Sequence, residues 1–472
     1  MMPLVQKAGV ALVLLALMLA LPAPAAGERL QTPSVAASGA PVGTPSGTPG
    51  AIPFEEVVLE NGLTLLMAPD SMATAVAVTV WYDVGSRHEV EGRTGFAHLF
   101  EHLMFEGSEN VGPGGHSRLI EQAGGIANAS ITEDRTNYIQ TVPPHRLNLV
   151  LWLEAERMRS LRVTEEALRR EVEVVKEERR MRFDNAPFGT SQLEALHYGA
   201  YGEGCFAYGH SPIGAMEDLD AARLDEVRAF HELFYVPDNA TIAIAGAFDP
   251  AEARGLVEAW FGELPRGAPR PEVTCEEPFA HLPRTTEIRD PNATLPAVWV
   301  SWGAVERSHP DAPALEVLGR ILGAGQSSRL YRGLVRGEQV AVQAQAFPAL
   351  RRGPGIFVAL AIANQGIEGE RLLELLDREV ERIAEEGITD EELERARNQV
   401  AAAAILGRQD VMGRAEALQS ARFFFGRAEA ANETVQRIEA VTAEDVRRVA
   451  ARYLTPENRL VVHTRPGPGD DR

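Results

Sequence analysis

Two distant passages of the chain follow one pattern. Phe234-Tyr235-Val236-Pro237-Asp238-Asn239-Ala240-Thr241-Ile242 and Tyr453-Leu454-Thr455-Pro456-Glu457-Asn458-Arg459-Leu460-Val461 each close a helix on an aromatic, turn through Pro-acid-Asn and open a strand. The order of elements around them repeats as well. Residues 295–302 form an apolar strand that matches residues 76–84, and the helix expected over 312–322 matches the one that starts near Phe96. Ser328-Arg329-Leu330 then matches Ser117-Arg118-Leu119. Pro-acid-Asn alone is ordinary turn chemistry, but the shared order makes two copies of one α/β unit the economical reading. Each copy mixes hairpins with helices. The expected fold is therefore α+β: two homologous sandwich units related by internal duplication, each a mixed, largely antiparallel sheet with helices packed on one side.

The ends and joints of the chain read differently from these copies. Residues 1–26 have the form of a signal peptide, with Lys7 before an apolar run over 9–21 and small residues at 22–26. Residues 27–51 are a Gly/Pro/Ser/Thr-rich flexible linker. The first copy spans 52–264, a Pro- and Gly-rich interdomain linker 265–285, the second copy 286–466 and a tail 467–472. The expected product is exported, with a periplasm as its compartment and no stable membrane insertion after signal removal. Cys205 and Cys275 are the only cysteines; in an oxidising compartment they suffice for one disulfide, not a framework. A formal net charge of −21 argues against nucleic acid as a partner.

The first copy holds His98-Leu99-Phe100-Glu101-His102. Residues four apart share a helix face, so His98 and His102 can close on one metal ion, with Glu101 beside them. Two imidazoles and a carboxylate still to be found suit zinc with a position open to water. A carboxylate next to that water is the general base of a metallopeptidase. The order inverts the commoner His-Glu-x-x-His. Taken alone, the pentapeptide also fits an amphipathic core helix, since Phe96, Leu99, Phe100, Leu103 and Met104 flank it. Three ionisable groups among large apolar side chains need a reason for their cost. A charged helix expected over 164–182 offers Glu171, Glu173, Glu177 and Glu178 as the missing ligand. Glu171 and Glu178 lie two turns apart on one face, with Val174 and Val175 between them expected to pack inward. Glu173 and Glu177 are expected to face solvent.

Residues 95–107, Gly124-Gly125-Ile126-Ala127-Asn128-Ala129, Thr136-Asn137-Tyr138 and 171–178 together resemble the pitrilysin family of zinc peptidases, which includes insulin-degrading enzyme and the mitochondrial processing peptidase. The resemblance extends over about residues 54–465. It implies that Glu178, 76 residues after His102, is the third ligand, so that His98, His102 and Glu178 hold Zn²⁺. It implies that Glu101 takes a proton from the attacking water and passes it to the leaving amine. Glu171 falls on the family's assisting carboxylate, which orients His98 or His102. The stretch from Ala127 to Ile131 resembles the edge strand on which an extended peptide is bound, with Asn128 and Ala129 as substrate contacts. The implied function is that of a zinc endopeptidase acting on peptides or unfolded polypeptide segments. Residues 52–264 would be its metal-binding catalytic domain and 286–466 a homologous non-catalytic domain.

The sequence departs from the family in the second copy. Single-chain active members carry an Arg and a Tyr, seven apart, that bind substrate and stabilise the tetrahedral intermediate. Aligned on Glu338-Gln339, those positions hold Val335 and Val342; Arg336 is one place out of register and no Tyr pairs with it. Such a loss removes donors that the transition state needs. The expected arrangement is a catalytic subunit paired with a homologous, metal-free subunit that carries the Arg and Tyr, the heterodimer closing as a clamshell around an extended peptide. The alternative is a non-catalytic assembly or peptide-binding subunit that retains a metal site.

Overall fold

The computed structural model describes residues 50–467; the expected signal peptide, the linker up to residue 49 and the tail from residue 468 lie outside the described residues. Two sheets organise the chain. The first holds β1 (Glu55–Val58), β2 (Thr64–Pro69), β3 (Val76–Tyr82), β4 (Ile126–Ile131), β5 (Thr136–Val142) and β6 (Ala240–Gly246), in the order β1-β2-β6-β3-β5-β4. The second holds β7 (Arg284–Asp290), β8 (Ala297–Gly303), β9 (Ala341–Ala349), β10 (Ile356–Ala363) and β11 (Arg459–Pro466), in the order β7-β11-β8-β10-β9. Without β1, the two orders are the same. In each sheet one pair is parallel, β2 with β6 and β7 with β11, and the rest are antiparallel. This is the internal duplication that the paired passages pointed to, and β4 and β9 are its equivalent edge strands.

The helices of the first copy are α1 (Phe96–Leu103), α2 (Gly115–Gln122), α3 (Leu147–Ser160), α4 (Glu165–Arg179), α5 (Gly189–Leu193), α6 (Met216–Asp220), α7 (Leu224–Phe234) and α8 (Pro250–Phe261). Those of the second are α9 (Ala312–Gly323), α10 (Gly369–Glu386), α11 (Asp390–Leu406), α12 (Val411–Phe425), α13 (Ala430–Glu439) and α14 (Ala443–Tyr453). The charged helix stops at Arg179 rather than Arg182 and widens into a π turn over Arg180–Asp184. There the backbone of Gly189 approaches Phe183 so closely that a Cβ would collide with the Phe183 carbonyl.

Helices do not lie on one side only, contrary to the expectation from sequence. All seven residues of β3 are buried. Val76, Val78, Val80 and Tyr82 join the core that contains Phe100, Val150 and Val257 from α1, α3 and α8. The opposite face is covered by α12, which comes from the second copy: Leu66, Ala68, Ala243 and Ala245 pack on Ala415, Leu418 and Ala421. Gln419 Nε2 donates to the carbonyls of Thr79 and Thr241, at 3.0 and 2.8 Å. The exchange is mutual. Ala195, Tyr201, Cys205 and Tyr208 of the first copy cluster with Trp299, Val358, Leu460 and Val462 of the second sheet. Large side chains buried in this way contribute about 1.5–3 kcal/mol each, so each copy depends on a cover supplied by the other. Cys205 and Cys275 form a disulfide that ties this cover to the stretch before β7.

A polar seam fixes the β4–β5 turn. Arg351 Nη2 donates to Glu133 Oε1 at 2.7 Å, and the Arg352 N–H donates to Asp134 Oδ2 at 2.9 Å. Tyr208 Oη donates to Asp134 Oδ1 at 2.8 Å and accepts the Gly353 N–H at 2.8 Å. The second copy thereby holds the turn that aligns edge strand β4.

Candidate metal centre

The centre is built on α1, whose N-terminus is anchored by a buried carboxylate. Glu89 accepts the Gly95 N–H at 2.9 Å and the Ala97 N–H at 2.7 Å, and His210 Nε2 lies 3.0 Å from its Oε2. The first N–H groups of a helix have no partner within the helix and carry its positive end, so an anion there satisfies both needs. Gly95 sits at φ 85°, and a Cβ on it would lie 2.9 Å from Gly214 Cα. Only glycine allows this entry to the helix.

From this anchored helix His98 and His102 project toward Glu178 on α4. His98 Nε2 and His102 Nε2 each lie 3.6 Å from Glu178 Oε2. One ligand atom from each of the three residues can be chosen so that all lie within 4.8 Å of one another. Ligand atoms on tetrahedral zinc at about 2.0–2.1 Å stand about 3.3 Å apart. The donor set of two imidazoles and one carboxylate, nearly at that spacing, fits the ion and leaves a fourth position open. The other oxygen of Glu178 is held by Arg182, whose Nη1 lies 2.7 Å from Oε1.

Glu171 lies beside His102 rather than His98: its Oε2 is 3.3 Å from His102 Nδ1. A proton on Nδ1 directed at this carboxylate leaves Nε2 free to ligate. Among the described residues, His98 Nδ1 is buried without a hydrogen-bond partner. The face of α4 differs from expectation in one respect. Val175 is fully buried, whereas Val174 is 42% exposed. Glu173 and Glu177 face solvent and pair with Lys176 and Arg180.

The electrostatics separate the four acids and bases. Burial pushes the Glu101 carboxyl up to about 7, against the pull of His102. Burial, helped by His102, pulls His98 down to about 3. Burial opposes a proton on His102, but hydrogen bonds to Glu171 and Glu178 override it and raise His102 to about 10. Glu178, also against its burial, is drawn down to about 2 by the hydrogen bond to His102 and the charges of His98 and Arg182. The carboxylate with the highest proton affinity of the group is thus Glu101, on the same helix as the two histidines.

Among the described residues, strand β4 is hydrogen-bonded only to β5, so its outer edge is unpaired. It packs against α1 through Ala127 and Ala129, while Ile126 is 71% exposed. The Asn128 side chain is exposed, and its Oδ1 accepts the Ala129 N–H at 2.9 Å. Glu89, His210 and Arg182 were not singled out from sequence. Arg182 follows Glu178 by four residues, a spacing that pairs charges on a helix; nothing local in the sequence marks Glu89, which acts across a turn.

Two family models match the chain: insulinase (peptidase family M16) over residues 65–206, and the peptidase M16 inactive domain over residues 221–400, which takes in the end of the first copy and more than half of the second. The zinc protease PqqE of Helicobacter pylori is 32% identical over 346 residues, covering 72% of this chain and 77% of that one. This chain belongs to peptidase family M16. A probable mitochondrial-processing peptidase subunit beta of Arabidopsis thaliana is 25% identical over 408 residues, 84% of this chain and 75% of the relative. The crystal structure of a protease from Helicobacter pylori covers 88% of this chain and 100% of its own, with a TM-score of 0.83 and 29% identity. Both M16 copies and their order are therefore shared along most of the chain.

Proposed function

We propose that the protein is a zinc endopeptidase acting on peptides or unfolded segments, with His98, His102 and Glu178 as the metal ligands and Glu101 as the general base. The observation that carries this reading is the convergence of the three donor atoms on one point, with the Glu101 carboxyl on the same helix as the two histidines. A carboxylate beside the open metal position is placed to act as a general base. Zinc, when bound, would acidify water and polarise the scissile carbonyl. Glu101 takes a proton from the attacking water and returns it to the leaving nitrogen. Glu171 holds His102 in the ligating tautomer. The unpaired edge of β4 accepts an extended substrate by backbone hydrogen bonds, with Asn128 and Ala129 beside it.

The second copy supplies support rather than a second centre: its equivalent helix α9 has no histidine, and its family model is named an inactive domain. Val335 is packed against the second core and Val342 is exposed on β9, and a valine side chain carries no hydrogen-bond donor. We infer a heterodimer in which a metal-free homologue supplies the Arg and Tyr; the similar Arabidopsis protein is itself named as a subunit. The apolar stretch near the N-terminus and the Cys205–Cys275 disulfide support export to a periplasm. Among the described residues no helix is long and apolar enough to cross a membrane. The alternative of a non-catalytic subunit is favoured only by the inactive-domain match, which lies outside the residues that form the metal centre. The test of the pairing is hydrolysis of an unstructured peptide by this chain alone and with a metal-free homologue. Full activity of the lone chain would refute the heterodimer.

A further inference from the structure

A cavity of about 470 Å³ lies between α9, α12 and α13, within the size range of small-molecule sites. Arg307, Arg408 and Arg437 line it. Although the chain carries a net charge of −21, among the described residues none of these three makes an ion pair. Their guanidinium groups are nonetheless held in place. Arg437 stands over the Phe425 ring at 4.2 Å and donates to the Ala430 carbonyl at 3.0 Å. Arg307 stands over the Phe424 ring at 4.8 Å, and Arg408 donates to the Ala431 carbonyl. Among the described residues, Arg437 Nε is buried with no hydrogen-bond partner.

Only Glu316 opposes this charge from the wall without an ion pair of its own, and burial pushes its carboxyl up even though Arg307 and Arg437 favour its charged form. Burial pulls Arg408 and Arg437 below the usual guanidinium range; the charge of Arg437 adds to this at Arg408, while at Arg437 the carboxylates of Glu433 and Glu316 oppose it. The remaining arginine of the lining, Arg448, is already paired with Asp311 at 2.7 Å. The second lining carboxylate, Asp445, is paired with Arg448 at 3.3 Å, so three ordered guanidinium groups without an ion pair face the single unpaired carboxylate of Glu316, and an excess of positive charge is left in a confined space. Planar guanidinium forks match carboxylate and phosphate oxygens two at a time.

We propose that this cavity binds a small anion, a carboxylate or phosphate group gripped by Arg307, Arg408 and Arg437. The site stands apart from the metal centre, and nothing in the peptidase reading requires it. The test is calorimetric titration of the full chain with inorganic phosphate and, separately, with succinate, each at constant ionic strength. Saturable binding of at least one probe is expected, and the stronger of the two identifies the anion class. Arg408→Gln and Arg437→Gln should each weaken it by about tenfold or more, as expected for loss of a charge-assisted hydrogen bond. Glu316→Gln should tighten it by about threefold or more, because a like charge is removed. This variant keeps the test decisive if an arginine variant fails to fold. The proposal is overturned if neither probe binds up to about 10 mM. It is equally overturned if binding is the same in Arg408→Gln, Arg437→Gln and Glu316→Gln, which would place the anion elsewhere, for instance at the metal centre.

Discussion

Glu171→Gln isolates the contribution of the carboxylate behind His102. Glu171 Oε2 stands 3.3 Å from His102 Nδ1, and the two side chains are only 12% and 17% exposed, so solvent screens the contact weakly. Glutamine keeps the size and an acceptor oxygen but removes the charge that makes the imidazole a stronger donor to the metal. Loss of such an outer carboxylate lowers metal affinity by about 10–100-fold, which corresponds to about 1.4–2.7 kcal/mol. Because Glu171 also steadies a proton on His102, the loss is read at alkaline pH, where proton competition is smallest. The assay is competition for zinc against a chromophoric chelator. Glu173→Gln is the matched control: it removes the same charge from the same helix, but that side chain is 64% exposed and pairs with Lys176. It should leave zinc affinity within about twofold. Equal affinities for Glu171→Gln and wild type, or an equal loss in Glu173→Gln, would refute the role assigned to this contact.

Three further outcomes follow from contacts away from the metal. Glu154 is fully buried and its Oε2 lies 3.0 Å from Arg157 Nε, so Arg157→Leu should destabilise the fold by about 3–5 kcal/mol in chemical denaturation; adding Glu154→Gln should recover part of that loss. Glu392 is pulled down to about 2, against its burial, by Arg329 and the Thr389 N–H. A depressed carboxyl stabilises the fold above its unfolded value of about 4.5 and loses that effect as pH falls through its folded value; in Glu392→Gln the decline of stability between about pH 4.5 and 2 should therefore be shallower than in wild type. The Cys205–Cys275 bridge spans a separation of 70 residues, so reduction or Cys275→Ser should cost about 4 kcal/mol on the chain-entropy account, measured by urea unfolding.

Much of this architecture was legible because it is local or periodic. The paired passages ending in Pro-acid-Asn disclosed the duplication, and the His-x-x-Glu-His spacing put two imidazoles on one face of α1. The preference for Glu171 and Glu178 over Glu173 and Glu177 rested on helical geometry, and the family motif selected Glu178. What stayed hidden depends on contacts between distant segments. The all-buried pattern of β3 requires α12, which lies more than three hundred residues downstream in the chain. Val174 has the chemistry of a core residue yet is 42% exposed, because helix periodicity alone does not say which neighbours cover a face. Glu89 and His210 support α1 across a turn and from a separate loop, so no spacing rule connects them. The arginines of the proposed anion cavity are spread from 307 to 437 and are gathered only by the fold that brings residues of α9, α12 and α13 around one cavity.

The most direct test of the central claim is hydrolysis of an unstructured polypeptide by Glu101→Gln beside wild type, both assayed with the same metal-free homologue and with zinc content measured on the same samples. The account predicts that both chains hold an equivalent of zinc and that only wild type cuts, because the glutamine cannot accept the proton from water. Zinc in neither chain, or undiminished cutting by Glu101→Gln, would contradict it.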